Sequence, residues 1–300
     1  MESNRVLVTG CSGYLGRYVA RQLSSAGHEV VGFDLVEPDY PLDSFTKGDF
    51  TVRIQFEDAL QGVTSVCHLG GVGDVYLAEA DPARAFRANA FGTKVVCDAC
   101  ARLRIEKLVF ASTWEVYGQP QRDLIEETHP CNPESPYSIS KLAGELFVRQ
   151  ANKRPGLKTV ALRLGTAYGP RMRESTVISR FIRRALERKP LTIFGNGAQT
   201  RQFTHVDDIG HGFVLALSDS APGHLYNLLS DEPISMLNLA ALLAKEYGTT
   251  IEYEPAKPSE PPSAHISAEK ALRELGWRKS VSFREGLRSL IAERQSTQGV

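Results

Sequence analysis

The chain is poor in the features that commit a protein to a special environment. Its five cysteines, an odd and scattered set among 300 residues, make no disulfide framework of the kind that small secreted domains use. No apolar run approaches the roughly 18 residues of a membrane-spanning helix, so a helical membrane protein is excluded and no membrane partner is expected. Net charge is missing too, with 35 Lys plus Arg against 35 Asp plus Glu. A neutral chain lacks the basic excess of a protein that lives on nucleic acid. No internal repeat and no low-complexity tract is found, which sets aside solenoids and disordered arrays. The first residues run from Met1-Glu2-Ser3-Asn4 straight into Arg5-Val6-Leu7-Val8, with no secretory pattern. A cytoplasmic protein is expected.

What the chain does have is an ordinary globular composition, 42% hydrophobic and 23% charged, and enough length to bury a sizeable core. Its first half alternates two patterns. Short β-branched or apolar runs (Val6-Leu7-Val8, Val30-Val31-Gly32-Phe33, residues 63–69, Leu108-Val109-Phe110, Val160-Ala161-Leu162) are separated by amphipathic stretches of helical length. That alternation predicts an α/β fold, a doubly wound parallel sheet covered on both faces. After about residue 165 the pattern loosens, punctuated by Pro170, Pro190, Gly195, Gly197, Pro222, Gly223 and Pro233. Residues 255–262 carry four prolines and are expected to be a loop. Helices are expected over 267–275 and 282–293. The division predicted is a Rossmann-like domain over 1–165 and a smaller mixed α/β substrate-binding lobe over 166–300, with part of 203–230 returning to the first domain.

Three motifs carry chemistry. Thr9-Gly10-Cys11-Ser12-Gly13-Tyr14-Leu15-Gly16 directly follows the first strand. Gly10 permits a tight turn, Gly13 lets backbone approach a pyrophosphate, and Gly16 allows close helix–strand packing. The helix opening at Tyr14 and Leu15 then aims free N–H groups at the phosphates. Asp34 closes the second strand 18 residues after Gly16, where a carboxylate can accept hydrogen bonds from an adenosine ribose and repel a 2′-phosphate. NAD is therefore favoured over NADP. The second motif is Tyr137-Ser138-Ile139-Ser140-Lys141, with Pro136 suited to a first helical position. Tyr137 and Lys141 stand one turn apart on one helix face, where an ammonium and an oxidised nicotinamide would stabilise the phenolate. An amphipathic helix with a surface lysine is the plain alternative. The third motif, Ala111-Ser112-Thr113-Trp114-Glu115-Val116-Tyr117-Gly118, lies just beyond a strand. A hydroxyl there can bind a sugar oxygen and share its proton with Tyr137.

The glycine pattern with Asp34, His68-Leu69-Gly70-Gly71, Asn89 with Gly92-Thr93, Ser112-Thr113 with Tyr117-Gly118, and Tyr137 with Lys141 together resemble the extended short-chain dehydrogenase/reductase family. More narrowly, they resemble its nucleotide-sugar epimerase, dehydratase and decarboxylase branch. Arg163, Tyr168-Gly169-Pro170-Arg171, Phe194-Gly195-Asn196-Gly197, Arg201, Val206-Asp207-Asp208, Tyr226-Asn227 and Leu275-Gly276-Trp277 continue the pattern in order. The resemblance implies a catalytic set of Thr113, Tyr137 and Lys141. It implies cofactor contacts from Asp49-Phe50 at the adenine, from Leu69-Gly70-Gly71 along phosphates and ribose, and from Asn89. It also implies a nucleotide-sugar substrate, an Arg201 grip on its diphosphate, and a helix-pair homodimer.

The departures from the family pattern bear on the reaction. Trp114-Glu115 stands where dehydratases carry Asp-Glu, so the acid that would protonate a departing hydroxyl is missing and Glu115 is the remaining catalytic candidate. Thr166 replaces a usual Asn, and Lys257-Pro258-Ser259-Glu260 replaces an Arg-Pro-Gly-Asp segment; Trp114, Thr166 and Arg201 are the candidate substrate contacts. Cys97-Asp98-Ala99-Cys100 has no second pair to complete a zinc site and reads as core, so no metal is expected. His68 and His205 read as packed strand-end residues, and Arg180-Phe181-Ile182-Arg183-Arg184 as the solvated face of a helix.

The function expected is NAD-dependent epimerisation of a nucleotide-sugar by oxidation at C4 and re-reduction on the other face. Glu115 would then be held away from the sugar, bonded to backbone. Decarboxylation of a nucleotide-linked uronic acid and 4,6-dehydration are the enzymatic alternatives, and an NAD-binding sensor or scaffold is the non-catalytic one. A first prediction concerns the cofactor. Facing a 2′-phosphate with Asp34 costs on the order of 1–3 kcal/mol, so NAD should bind about ten- to a hundredfold tighter than NADP. Calorimetry should show this gap, and Asp34→Ala should narrow it; equal affinities in the wild type would refute it.

Overall fold

The computed structural model describes residues 4–218, 221, 224–256 and 265–297. Pro222, Gly223 and the Lys257-Pro258-Ser259-Glu260 segment lie outside the described residues. Seven strands, numbered in chain order, build the large sheet: β1 (Arg5–Thr9), β2 (Glu29–Asp34), β3 (Ser44–Lys47), β4 (Ser65–His68), β5 (Lys107–Thr113), β6 (Lys158–Leu164) and β7 (Leu225–Leu228). Their spatial order is β7-β6-β5-β4-β1-β2-β3, and every neighbouring pair is parallel. The doubly wound Rossmann-like sheet expected from the sequence is the fold. Parallel strands need covered faces, and β5 accordingly buries all seven of its residues.

Each face has its own core. On one side, Val19, Ala20 and Leu23 of the helix Tyr14–Ser25 pack with Ile209 and Phe213 of the helix Val206–Leu217 over β1 and β5. On the other, Phe56, Val96, Cys97, Cys100 and Val148 fill the space between the sheet and the helices Arg53–Ala59, Thr93–Arg102 and Pro136–Ala151. Cys97 and Cys100 are thus free, buried core residues. Among the described residues no helix is long and apolar enough to cross a membrane.

A smaller lobe hangs beyond β6. Its three-stranded sheet runs Pro233–Ser235, Thr200–His205, Thr166–Tyr168, and a parallel pair joins Leu191–Phe194 to Ile251–Glu254. Ile178, Phe181, Leu239, Leu243 and Leu290, from three helices, form its separate core. The chain passes between the lobes more than once. Val206–Leu217 and β7 belong to the large sheet's layers, although they follow a strand of the small one. Trp277 locks this return: its ring is 2% exposed and its Nε1–H donates to the Asp208 carbonyl at 2.9 Å. The Asp208 carboxylate accepts from the Ser280 N–H at 2.8 Å and from its hydroxyl at 2.6 Å.

The strand order reverses between β1 and β4. The chain winds outward from β1 to β3, then crosses back to β4 and winds the other way. Ligands of open α/β sheets bind at such a switch point, outside the carboxyl ends of the strands.

Candidate active site

A cleft of about 1080 Å3 opens at that edge, large beside the roughly 300–1,000 Å3 of ordinary small-molecule pockets. The turn after β1 forms its floor. Gly10 has φ +71, a left-handed backbone that suits glycine, and its carbonyl accepts from the Gly13 N–H at 3.0 Å. A Cβ on Gly16 would lie 1.9 Å from the Gly10 carbonyl oxygen, so the helix can seat against this turn only without one. The contact is with the turn itself rather than with the strand. The helix Tyr14–Ser25 has no side-chain cap and no acidic residue in its first turn, so its first N–H groups are left for an anion. Gly10, Gly13, Tyr14, Leu15 and Gly16 all line the cleft.

Asp34 lines the same wall at the end of β2. Its carboxylate is oriented by the Ser12 N–H at 3.0 Å and the Leu35 N–H at 2.7 Å. Asp49 and Phe50 face the cleft from the next loop, with the Phe50 ring edge-on to His68 at 5.0 Å between centroids. Leu69, Gly70 and Gly71 run along the end of β4, where Thr9 Oγ1 accepts from the Leu69 and Gly70 N–H groups at 3.1 and 3.0 Å. An uncapped helix end, glycine backbone and one oriented carboxylate at the far end fit a dinucleotide such as NAD.

Asn89 is placed differently. It is 1% exposed, behind the cleft wall, on the π-helical turn Arg87–Gly92. Its Oδ1 accepts from the Val72 N–H at 2.8 Å, and its Nδ2 donates to the Val72 carbonyl at 2.9 Å and to Ser140 Oγ at 3.0 Å. This side chain ties the loop after β4 to the helix Pro136–Ala151 instead of facing the cleft. His68 is fully buried between Thr9 Oγ1 (2.7 Å) and Thr93 Oγ1 (3.1 Å), and burial lowers its pKa to about 3. His205 is packed as well, edge-on to Tyr168. Both are the packed residues expected.

The reacting end is built by β5 and by the helix Pro136–Ala151, whose N-terminus carries a Ser135–Ser138 capping box and Pro136 in its first turn. Alternation along β5 turns Ser112 to the Glu145 carboxylate at 2.7 Å and Thr113 towards the cleft. Thr113 and Tyr137 line the cleft together. Burial holds the Tyr137 phenol above the usual tyrosine range and the Glu115 charge raises it further; the Thr113 hydroxyl and the Arg173 charge pull it back. Lys141 was expected to lower Tyr137, but its Nζ stands 4.3 Å over the Phe110 ring, and burial brings it from 10.5 to about 7, opposed by Glu145.

Glu115 also differs from its expectation. Its backbone is tied down, the N–H donating to Thr113 Oγ1 at 3.3 Å and the carbonyl accepting from the Gly118 N–H at 3.2 Å, while the side chain lines the cleft and its charge reaches Tyr137. Burial raises Glu115 from 4.5 to about 7, with Arg201 opposing. Trp114 and Thr166 line the cleft beside it. Arg201 does not; it lies in an adjoining cavity of about 840 Å3 that shares Thr166, Ala167, Ser175 and Thr176 with the cleft. Arg180, Arg183 and Arg184 line that cavity too, a second aspect of the helix face read as merely solvated. Arg173, in the main cleft, went unnoticed in the sequence because an arginine in an irregular segment carries no periodic signal.

The chain matches the model of the NAD dependent epimerase/dehydratase family over residues 6–228. It belongs to that family. It is 29% identical over 308 residues to the uncharacterized UDP-glucose epimerase YtcB of Bacillus subtilis, covering 96% of this chain and 97% of that one. Among solved structures, MoeE5 in complex with UDP-glucuronic acid and NAD has a TM-score of 0.90 at 29% identity, covering 98% of this chain and 99% of that one. DesIV, the dTDP-glucose 4,6-dehydratase of Streptomyces venezuelae with NAD and TYD bound, has 0.89 at 25% identity, covering 98% of each. Epimerases and dehydratases of the family are thus alike to this chain over nearly its whole length.

The two shifted groups make opposite demands on pH. Between about 7 and 10.5 the unfolded chain protonates Lys141 and the folded one does not, so its cost is full below about 7 and gone above 10.5. For Glu115 the folded state holds the extra proton between 4.5 and about 7, so its cost is absent below 4.5 and full above about 7. Lys141→Met should therefore raise the urea midpoint at about pH 6, with a gain that shrinks towards pH 10.5. Glu115→Gln should raise it at about pH 8, with a gain that vanishes by pH 4.5. Gains of constant size across pH would contradict both assignments.

Proposed function

We propose that the protein is an NAD-dependent epimerase of a nucleotide-sugar, acting by transient oxidation at C4 and re-reduction. The observation that carries this reading is the convergence of Thr113, at a strand end, with Tyr137 and Lys141 in the same cleft as the glycine turn and Asp34. The turn from Gly10 to Gly16 would hold the NAD pyrophosphate, Asp34 the adenosine ribose, and Lys141 the nicotinamide ribose. Bound there, NAD supplies a reversible acceptor for the hydride of a sugar carbon.

The remaining contributions are the protein's own. Tyr137 takes the proton from the sugar hydroxyl and returns it after the sugar has turned. Thr113 shares that proton and fixes the direction of the phenol. Arg201 takes the diphosphate in the adjoining cavity, where a guanidinium fork suits phosphate oxygens. Trp114 occupies the place of a leaving-group acid, which disfavours dehydration. The site of action is the cytoplasm. A homodimer is supported by the apolar surface formed by Phe86, Phe91 and Ile139, exposed by 53%, 50% and 46%, which a second copy would cover.

A second reading, decarboxylation of a nucleotide-linked uronic acid, has one observation in its favour. The Glu115 carboxylate faces the cleft with a proton affinity near neutrality, as an acid–base group acting beside the oxidised sugar requires.

A panel of nucleotide-sugars followed by NMR decides between these reactions, through new epimer signals, CO2 release or a 4-keto-6-deoxy product. On the substrate found, Tyr137→Phe should keep fold and NAD binding while turnover falls by about a hundredfold or more. Glu115→Gln should cost an epimerase less than about tenfold and a decarboxylase about a hundredfold or more. Solvent deuterium entering C5 in the wild type and not in Glu115→Gln would defeat the epimerase reading.

A further inference from the structure

Residues 169–173 leave the small sheet beside the cleft, which Arg173 lines, and send two arginines to cleft-lining carboxylates of the large sheet's loops. Their backbone is held from three directions. The Tyr14 and Tyr18 hydroxyls, from the helix of the glycine turn, donate to the Gly169 and Pro170 carbonyls at 3.2 and 2.7 Å. Arg294 donates to the Met172 carbonyl at 2.8 Å. The Arg171 N–H donates to the Glu293 carboxylate at 3.0 and 3.2 Å. Arg171 itself has φ +61, a left-handed backbone uncommon outside glycine. Such a conformation persists when its surroundings over-determine it, and it marks sites where geometry serves a purpose.

The side chains then part. Arg171 Nη1 reaches Asp39 Oδ2 at 2.6 Å, a carboxylate that also receives Arg17 at 2.6 Å. Asp39 lines the cleft at the Asp34 end. Arg173 Nη1 reaches Asp74 Oδ2 at 2.5 Å, and its Nη2 donates to the Gly73 carbonyl at 2.8 Å. Asp74 lines the cleft beyond Leu69-Gly70-Gly71, and its other oxygen caps the helix Val75–Ala80 through the Tyr76 and Leu77 N–H groups. Two ion pairs therefore end on carboxylates that line the cleft, and both join the small lobe to loops of the large sheet.

We propose that residues 169–173 are a clasp over the cofactor cleft, and that release of NAD requires the Arg171–Asp39 and Arg173–Asp74 pairs to open. This rests on the assignment of NAD to the cleft. An epimerase restores its cofactor within each turnover, so a clasp that slows release costs it nothing and keeps the site charged. Arg171, Arg173, Asp39 and Asp74 are positioning residues in this scheme, acting on the cofactor through the segment they tie down.

Both arginines are about half exposed, at 53% and 46%. Exposed pairs are individually weak and screened by salt, and that weakness gives the test its signature. The experiment loads the full-length protein with NADH and follows the fall in bound fluorescence after mixing with excess NAD. Arg171→Gln and Arg173→Gln should each speed release by about two- to fivefold, and the double variant by about tenfold. Arg173→Lys, which keeps the charge, should stay near the wild-type rate. Raising salt from about 50 to about 500 mM should speed release from the wild type and leave the double variant little changed. Purely structural pairs would shift the urea midpoint without this salt-dependent rate. Unchanged release in the double variant, or a speeding that salt does not mimic, overturns the clasp alone. A wild type that binds no NADH overturns the cofactor assignment and the clasp with it.

Discussion

A parallel sheet buried on both faces leaves one edge where its chemistry can reach solvent. Every strand of this sheet points the same way, so the ends of β1, β2, β4, β5 and β6 arrive together at the C-terminal edge. There they deliver the Gly10 turn, Asp34, the Leu69-Gly70-Gly71 run, Thr113 and Gly165 to one cleft. The helices on the two faces add what strands cannot, an uncapped N-terminus on one side and Tyr137 with Lys141 on the other. The small lobe flanks the cleft, tied to the large sheet's layers by the Trp277 and Ser280 bonds to Asp208 and by Trp277 seated in the large sheet's core.

Beneath the reacting end lies a second layer of polar contacts. Arg163 forks onto Glu145 through Nε at 3.0 Å and Nη2 at 2.6 Å, with both side chains under 10% exposed. Ser112 fills another site on the same carboxylate, and the guanidinium lies 4.6 Å over the Tyr117 ring. Glu145 follows Lys141 by one helical turn, just as Lys141 follows Tyr137, so one stripe of the helix holds phenol, amine and carboxylate in series. A buried carboxylate saturated by arginine has little left to offer the amine. Burial therefore outweighs that charge and holds the Lys141 ammonium below the usual lysine range despite an acidic neighbour.

What was legible in the sequence was whatever a short stretch of chain decides. The glycine turn, the closing Asp34, the capped helix start at Ser135-Pro136 and the one-turn spacing of Tyr137 and Lys141 are local, and the structure brings them to one cleft. The sheet was legible because buried parallel strands are written as nearly unbroken apolar runs. The rest depended on distance and direction. The Arg171–Asp39 pair spans 132 residues, and no periodicity announces an ion pair between irregular segments. Spacing put Lys141 on the right face but could not say that its ammonium would turn to Phe110. Asn89 sits close enough to the site to match a motif, yet its amide is spent on the Val72 backbone. Arg180 and Arg183 look solvated along their own helix, and only the fold shows that their solvent is a cavity.

The close seating of Gly16 on Gly10 has a further consequence. With the Gly10 carbonyl in contact with one glycine and accepting from the N–H of another, the turn and the first coil of the helix behave as one rigid piece. Its anion-facing amides are aligned before any phosphate arrives, so binding need not order a loop or turn dipoles around. A flexible phosphate loop surrenders affinity to lost entropy; a turn fixed in advance does not.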